Sequence, residues 1–358
     1  MTSRLSGLDG LRGVAALIVV VLHVAGNMGW SGFGHGYLMV DLFFLLSGFV
    51  LSAGYGGRLA HGGAGGWFFG KRLARLYPLA LLGLALGFGV SLSAAALKGS
   101  AMHAQAPAML ALGALFLPWL WGGLISPYNG PAWSLQLELW VNALYGVVAK
   151  WLTNRRLAAL AGAAAIALTV ASLTIGHFEG GYANNDPARA AGPANYLVGW
   201  ARVLFAFPLG ILLHRLWRAG TFSALSVRWA WLAPAVLLAV ASPAAAGLPP
   251  AYDLAAVFLL FPVLLLVAAN AIPSARSAEL FAHLGRLSYG LYVLHGPILV
   301  AFHVFEPTGS PVFRLAWYGL GVGISLGAAA LAERFIDRPA RQWSARRNAM
   351  RSPAPVGL

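Results

Sequence analysis

Apolar stretches of about 20 residues alternate along this 358-residue chain with shorter segments rich in Arg, Gly, Pro and Ser. A helix rises 1.5 Å per residue, so each stretch is about 30 Å long, the thickness of a bilayer's hydrocarbon core. Ten segments fit: 10–28, 37–55, 76–97, 132–149, 157–176, 196–214, 229–247, 252–272, 287–305 and 314–333. The predicted fold is all-α, a polytopic membrane helix bundle with about ten transmembrane helices. An eleventh apolar run, 108–125, contains Pro118, Gly122 and Gly123 and leads into SPYNGP. It is read as an interfacial or re-entrant piece, because lipid tolerates broken backbone only where protein or water covers it.

Charge gives the bundle a direction. With the N-terminus inside, 20 of the 24 lysines and arginines fall on the cytoplasmic side; Lys98, Arg189 and Arg314 lie outside and Arg202 within a span. This is the positive-inside pattern. If 108–125 crossed, fourteen of those charges would move outside. Both termini are therefore expected in the cytoplasm, and the net charge of +14 is a topological signal that implies no nucleic-acid partner. The chain is 59% hydrophobic and 9% charged, with mean hydropathy +0.73, far from the roughly 25% charged residues of soluble domains. Cysteine is absent, which removes disulfides, thiolate metal sites and cysteine nucleophiles. The first apolar run has no small-residue cleavage site and is read as a retained helix. A membrane domain is expected over 1–340, with a basic, disordered cytoplasmic tail over 341–358, and the protein is placed in the inner (plasma) membrane as a multi-pass protein.

Ionisable residues inside spans are costly and usually functional. Arg12 and His23 lie eleven residues apart in LDGLRGVAALIVVVLHVAG, on one helical face, with the imidazole about 16 Å deeper. Glu138 falls about two turns into PAWSLQLELWVNALYG and shares its face with Asn142. Asp41, at the head of the second span, could orient a histidine or a substrate hydroxyl, or serve as an ordinary helix N-terminal acid. Ser47 and Gly48 on that span offer a small surface for close helix approach. His295 precedes Gly296 and Pro297, a local break whose freed carbonyls it could satisfy. Arg202 is read as snorkelling outward or lining a pore. His35, His61, His103, His177, His214, His283 and His303 fall in loops or near span ends and are expected to be interfacial or solvated. In WFFGKRLARLYP, Arg72 and Arg75 share a helical face suited to binding phosphate. Trp133 has the position of an interfacial anchor; Trp119, Trp121, Tyr128 and Tyr182 in the outer loops could stack on sugars or form a membrane belt.

The runs LDGLRGVAALIVVVLH, GYLMVDLFFLLSGFVL, KRLARLYPL, PAWSLQLELW and LSYGLYVLH occur in this order over residues 5–340. Together they resemble the successive signatures of the acyltransferase-3 family of integral membrane O-acyltransferases. The family's basic-x10-His motif matches Arg12 and His23, its Arg-x-x-Arg motif Arg72 and Arg75, and its Trp-Ser-Leu-x-x-Glu motif Trp133, Ser134, Leu135 and Glu138. One departure follows that glutamate: where many members have an acidic or polar residue and Phe-Tyr, this chain has Leu139, Trp140 and Val141.

The resemblance implies transfer of an acyl group, expected to be acetyl, from cytoplasmic acyl-CoA to a hydroxyl of an extracytoplasmic carbohydrate or glycoconjugate. Acyl-CoA is then a co-substrate and the bilayer a partner, with no bound cofactor and no metal expected. On this reading Arg12, Arg72 and Arg75 bind the donor. His23 acts as general base or acyl carrier, with Glu138 and Asp41 assisting. Ser134, Asn142 and Tyr292 are candidate oxyanion donors, and Trp133 and His295 candidate acceptor contacts. The competing class is a transporter or flippase of a lipid-linked sugar or small metabolite, for which buried charges and a broken helix would also suit.

Overall fold

The computed structural model describes residues 5–30, 32–121, 124–175, 193–245 and 247–349, of which 175 and 344–349 by backbone alone. Arg4, Gly122, Gly123, His177, Tyr182, Arg189, Arg351 and the tail from 350 lie outside the described residues. The chain runs back and forth between two ends. Helix α1 is Ser6–Asn27; a 3-10 turn, Gly34–Leu38, leads into α2, Met39–Ala60. Then follow α3, Gly65–Leu97, α4, Ala106–Ala114, and α5, Ala132–Val148. The second half comprises α6, Asn154–Ile175, α7, Pro193–Arg218, α8, Leu232–Val240, and α9, Pro250–Ala255, which passes through a π-helical turn, Ala256–Leu260, into α10, Phe261–Ala269. Long helices α11, Ala275–Val304, and α12, Pro311–Ala332, precede a second π-helical turn, Glu333–Asp337, and α13, Arg338–Ala349. Among the described residues there is no strand, only an isolated pairing of Val227 with Ala271.

Eight of these helical stretches are long and apolar enough to cross a membrane. The two other expected segments are shorter helices, α5 with 17 residues and α8 with nine. The segment 108–125 does not cross: α4 is nine residues, about 13 Å long, and α3 ends and α5 begins at the same end of the bundle. Helix α13 continues to Ala349, into the expected tail.

Helix α2 lies at the centre, with 72% of its apolar window buried, whereas α3, α6 and α12 turn most of theirs outward as lipid-facing walls. Small residues set the central contact. A Cβ on Gly48 of α2 would strike the Phe207 carbonyl of α7, and one on Gly210 would strike the Leu45 carbonyl. The two backbones therefore touch through this reciprocal pair, the close approach small residues permit in membranes. Ser274 and Ser310 cap α11 and α12 by accepting from Ser277 and Phe313 backbone N–H.

The long segment 98–131 folds back onto the bundle. Gln136 of α5 donates to the Leu117 carbonyl and to Ser126 Oγ, and Asn129 donates to the Val293 carbonyl of α11. The family departure at Trp140 has a use here: its indole N–H donates to the carbonyl of Phe116 at 2.8 Å. Phe116 is the one described non-glycine residue with positive φ, 57°. The turn thus exposes a carbonyl that Trp140 satisfies. Trp119 and Tyr128 are buried by this packing and Trp121 is exposed.

Candidate active site

Helix α1 packs along α11, and this contact brings together the two histidines of the resembling motifs. His23 Nδ1 lies 2.8 Å from the Val19 carbonyl and 3.3 Å from His295 Nε2, and the ring centroids are 5.0 Å apart, edge to face. A carbonyl only accepts, so His23 Nδ1 carries the hydrogen and the lone pair resides on Nε2. His295 Nδ1 likewise donates to the Leu291 carbonyl, leaving its Nε2 to accept from His23. His295 is fully buried; His23 is partly exposed. The helix continues through Pro297, so His295 bonds an ordinary helical carbonyl four residues back.

One helical turn before His295, Tyr292 meets Ser134. The two hydroxyls are 2.6 Å apart and each reaches the Pro131 carbonyl, at 3.1 Å from Tyr292 and 3.2 Å from Ser134. Whichever hydroxyl donates to the carbonyl, the other donates to it, so both protons are used within the triangle. These two candidate oxyanion donors serve first to fasten α5 to α11.

Glu138 does not meet His23. Its Oε1 accepts from Ser47 of α2, Arg72 Nη2 of α3 at 3.1 Å and Asn142 Nδ2 at 3.2 Å. The level of the histidines on α5 is fixed by Gly296, which abuts Pro131. Glu138 is seven residues further along, about 10 Å at the helical rise. The carboxylate is thus the hub of a buried polar cross-link among α2, α3 and α5, placed between the basic end of the bundle and the histidine pair. Arg72, expected with Arg75 to bind phosphate, is here paired with this carboxylate and is 6% exposed.

Arg75, a turn further along α3 and partly exposed, has no hydrogen-bond or ion-pair partner among the described residues. It lies near Arg12, which donates to Asp9 at 3.1 Å and to the Gly285 carbonyl of α11 at 2.6 Å. Arg341 of α13 contributes a third guanidinium nearby, paired with Glu333 and Asp337. Of these three arginines, Arg75 alone has no hydrogen-bond or ion-pair partner among the described residues.

Asp41 does not meet His23 either. Its two oxygens take Arg202 Nε at 3.0 Å and Nη2 at 2.6 Å, and both side chains are 1% exposed. The expectation that Arg202 snorkels outward is corrected: the guanidinium is 1% exposed and packs on the rings of Tyr37 and Trp133, 5.5 and 5.4 Å from their centroids. Trp133 is accordingly buried as the wall of this ion pair. A partner 161 residues away in sequence gave no local signal.

Two histidines expected at the surface are also buried. His214 Nδ1 is 2.9 Å from Ser52 Oγ, against Phe49 and Trp217. His35 Nδ1 is 2.6 Å from Asp253 Oδ1, and Tyr37 donates its hydroxyl to Asp253 Oδ2 at 2.5 Å. Asp253 was not singled out from the sequence, because it begins an apolar segment where an acid reads as a helix-start residue. No cluster of three or more His, Asp or Glu able to hold a metal ion occurs among the described residues.

Comparison with known proteins gives this geometry a family. The model of the acyltransferase domain family matches residues 5–334. The protein named Protein 2 in picA locus from Rhizobium radiobacter is 38% identical over 180 positions, covering 46% of this chain and 93% of that one. Acyltransferase MdmB of Streptomyces mycarofaciens is 29% identical, covering 82% of this chain and 78% of its own. YrhL of Bacillus subtilis, named as a candidate peptidoglycan O-acetyltransferase, is 25% identical; the alignment covers 94% of this chain and 54% of that longer protein. No solved structure gives a significant match. With a family model spanning nearly all of it and eight helices fit to cross a bilayer, the chain belongs to the acyltransferase-3 family of integral membrane O-acyltransferases and is a multi-pass membrane enzyme.

Proposed function

We propose that the protein transfers an acyl group, acetyl in the first instance, from acyl-CoA at the basic, cytoplasmic end of the bundle to a hydroxyl of a carbohydrate at the opposite end. The observation that carries this reading is the α1–α11 histidine pair: His23 is held by Val19 and His295 in the tautomer whose Nε2 bears the lone pair. Arg75, with Arg12 beside it, supplies cationic donors for the phosphates of CoA. Carbohydrate as the acceptor class is supported by the peptidoglycan in the name of the Bacillus relative.

On this reading the acceptor oxygen attacks the thioester carbonyl carbon while its proton passes to His23 Nε2. The C–S bond breaks, and the thiolate leaves and is protonated to the free thiol of CoA. His295 Nε2 then accepts from the Nδ1–H of the His23 imidazolium, a neutral counterpart of the carboxylate that often supports a catalytic histidine. Glu138 acts at a distance, holding Arg72 and Ser47 between the donor entrance and the histidines.

The test is CoA release by the purified protein supplied with acetyl-CoA, with and without a pooled glycan extract from the host cell envelope. Release that depends on the extract supports the reading. Absence of release across several acyl donors, together with uptake of labelled sugars by proteoliposomes, would replace it with a transporter.

A further inference from the structure

The cluster around Asp253 is not used by the reaction above. Both Asp253 oxygens are engaged, Oδ1 by His35 Nδ1 at 2.6 Å and Oδ2 by the Tyr37 hydroxyl at 2.5 Å, and Asp253 is 5% exposed. A carboxylate saturated in this way fixes the His35 ring and places its hydrogen on Nδ1. The ring is held edge-on to Tyr252 at 4.8 Å, and His35 is 8% exposed. Its Nε2 has no partner among the described residues. Nearly all of this imidazole is buried, and the nitrogen left without a partner, Nε2, carries a lone pair.

Its position couples this nitrogen to the reaction centre. The turn bearing His35 joins α1 to α2 at the end of the bundle opposite the basic face, and Gly36 beside it packs on Leu22, the neighbour of His23. Tyr37 of the cluster also packs on Arg202, which packs on Trp133, and Trp133 precedes the Ser134 that holds Tyr292. Asp253 sits three residues before a π-helical turn, Ala256–Leu260, a distortion frequent at functional sites. An imidazole lone pair presented by a buried carboxylate suits a ligand that donates hydrogen bonds through hydroxyl groups. The ring of Tyr252 and the apolar surroundings suit the carbon face of a sugar.

We propose that His35 is a binding contact for the polyhydroxylated acceptor, accepting a hydrogen bond from one of its hydroxyls through Nε2, with Asp253 and Tyr37 as positioning residues. This rests on the carbohydrate-acceptor reading above.

Two measurements test it. In the first, wild-type protein in proteoliposomes is treated with diethyl pyrocarbonate, which modifies unprotonated imidazole nitrogens, and the histidines are mapped by mass spectrometry with and without the pooled glycan extract. His35 is expected to be modified and to be protected by the extract about fivefold or more, while exposed His61 and His303 are modified equally in both samples. In the second, His35→Gln keeps an N–H for Asp253 but alters the acceptor contact. It is expected to raise the extract concentration for half-maximal CoA release about tenfold, the weight of one good hydrogen bond, with kcat and the KM for acetyl-CoA within about twofold. Unmodified or unprotected His35, or an unchanged half-maximal concentration, overturns the proposal. If the wild type releases no CoA, the acyl-transfer reading fails, and protection alone still decides whether His35 contacts carbohydrate.

Discussion

At the scale of single residues, three sets of buried and half-buried charges are distinct: Arg75 alone, the Arg72–Glu138 pair and the Asp41–Arg202 pair. Arg75, beside Arg12, has no hydrogen-bond or ion-pair partner among the described residues, so Arg75→Ala should raise the KM for acetyl-CoA about tenfold with little change in kcat, as steady-state kinetics will read. Arg72 and Glu138 act as one unit. Arg72→Ala and Glu138→Ala should each lower kcat, and the double variant should be no worse than the more impaired single one, the non-additivity of a shared contact. Asp41 and Arg202 form a desolvated pair, and removing either partner leaves a charge stranded. Asp41→Ala or Arg202→Ala should cost about 3–5 kcal/mol of stability, and the joint replacement of both by apolar residues should recover much of it. Equilibrium unfolding in mixed micelles checks that order.

At the scale of elements, helix pairs are fixed by specific small or polar contacts. Gly48→Leu must push α2 away from the Phe207 carbonyl of α7, with an overpacking cost of about 1–3 kcal/mol, read as a lowered unfolding midpoint. The connection between α11 and α12 is pinned by Glu306, which accepts from Arg314 and from Tyr318. The Arg314 hydrogen bond holds the Glu306 carboxyl below its ordinary 4.5. A carboxyl depressed in the folded state stabilises above its unfolded pKa, and that contribution fades as pH falls through the lower folded value. Glu306→Gln should therefore lower the midpoint at neutral pH and flatten its decline on the acid side, as a pH series of melts will show.

At the scale of the molecule, the order of helices was legible because lipid demands long apolar runs, and the basic residues mark one end. The depth of His23 and the helical face it shares with Arg12 followed from helical spacing alone. What spacing could not give was which distant side chain each buried charge would meet. Glu138 and His23 lie at comparable depth in their own spans, yet helix offsets put about 10 Å between them, and Glu138 turns to Arg72. Asp41 found Arg202 by the same unseen geometry, and His35 looked like a loop residue because Asp253 is 218 positions away. The absence of native cysteine makes the orientation directly testable. Single cysteines at Ser100 and at His61 should react with an impermeant maleimide from opposite sides of an inverted vesicle, His61 on the cytoplasmic side.

The central claim is that His23 takes the acceptor's proton while His295 supports it. Acceptor-dependent CoA release should be measured for wild type, His23→Ala and His295→Ala, each verified as folded by its melting profile. His23→Ala should lose about 10²–10⁴-fold in kcat, the range of a general base, and His295→Ala a smaller factor of about ten. A folded His23→Ala protein that releases CoA within threefold of wild type would contradict the account.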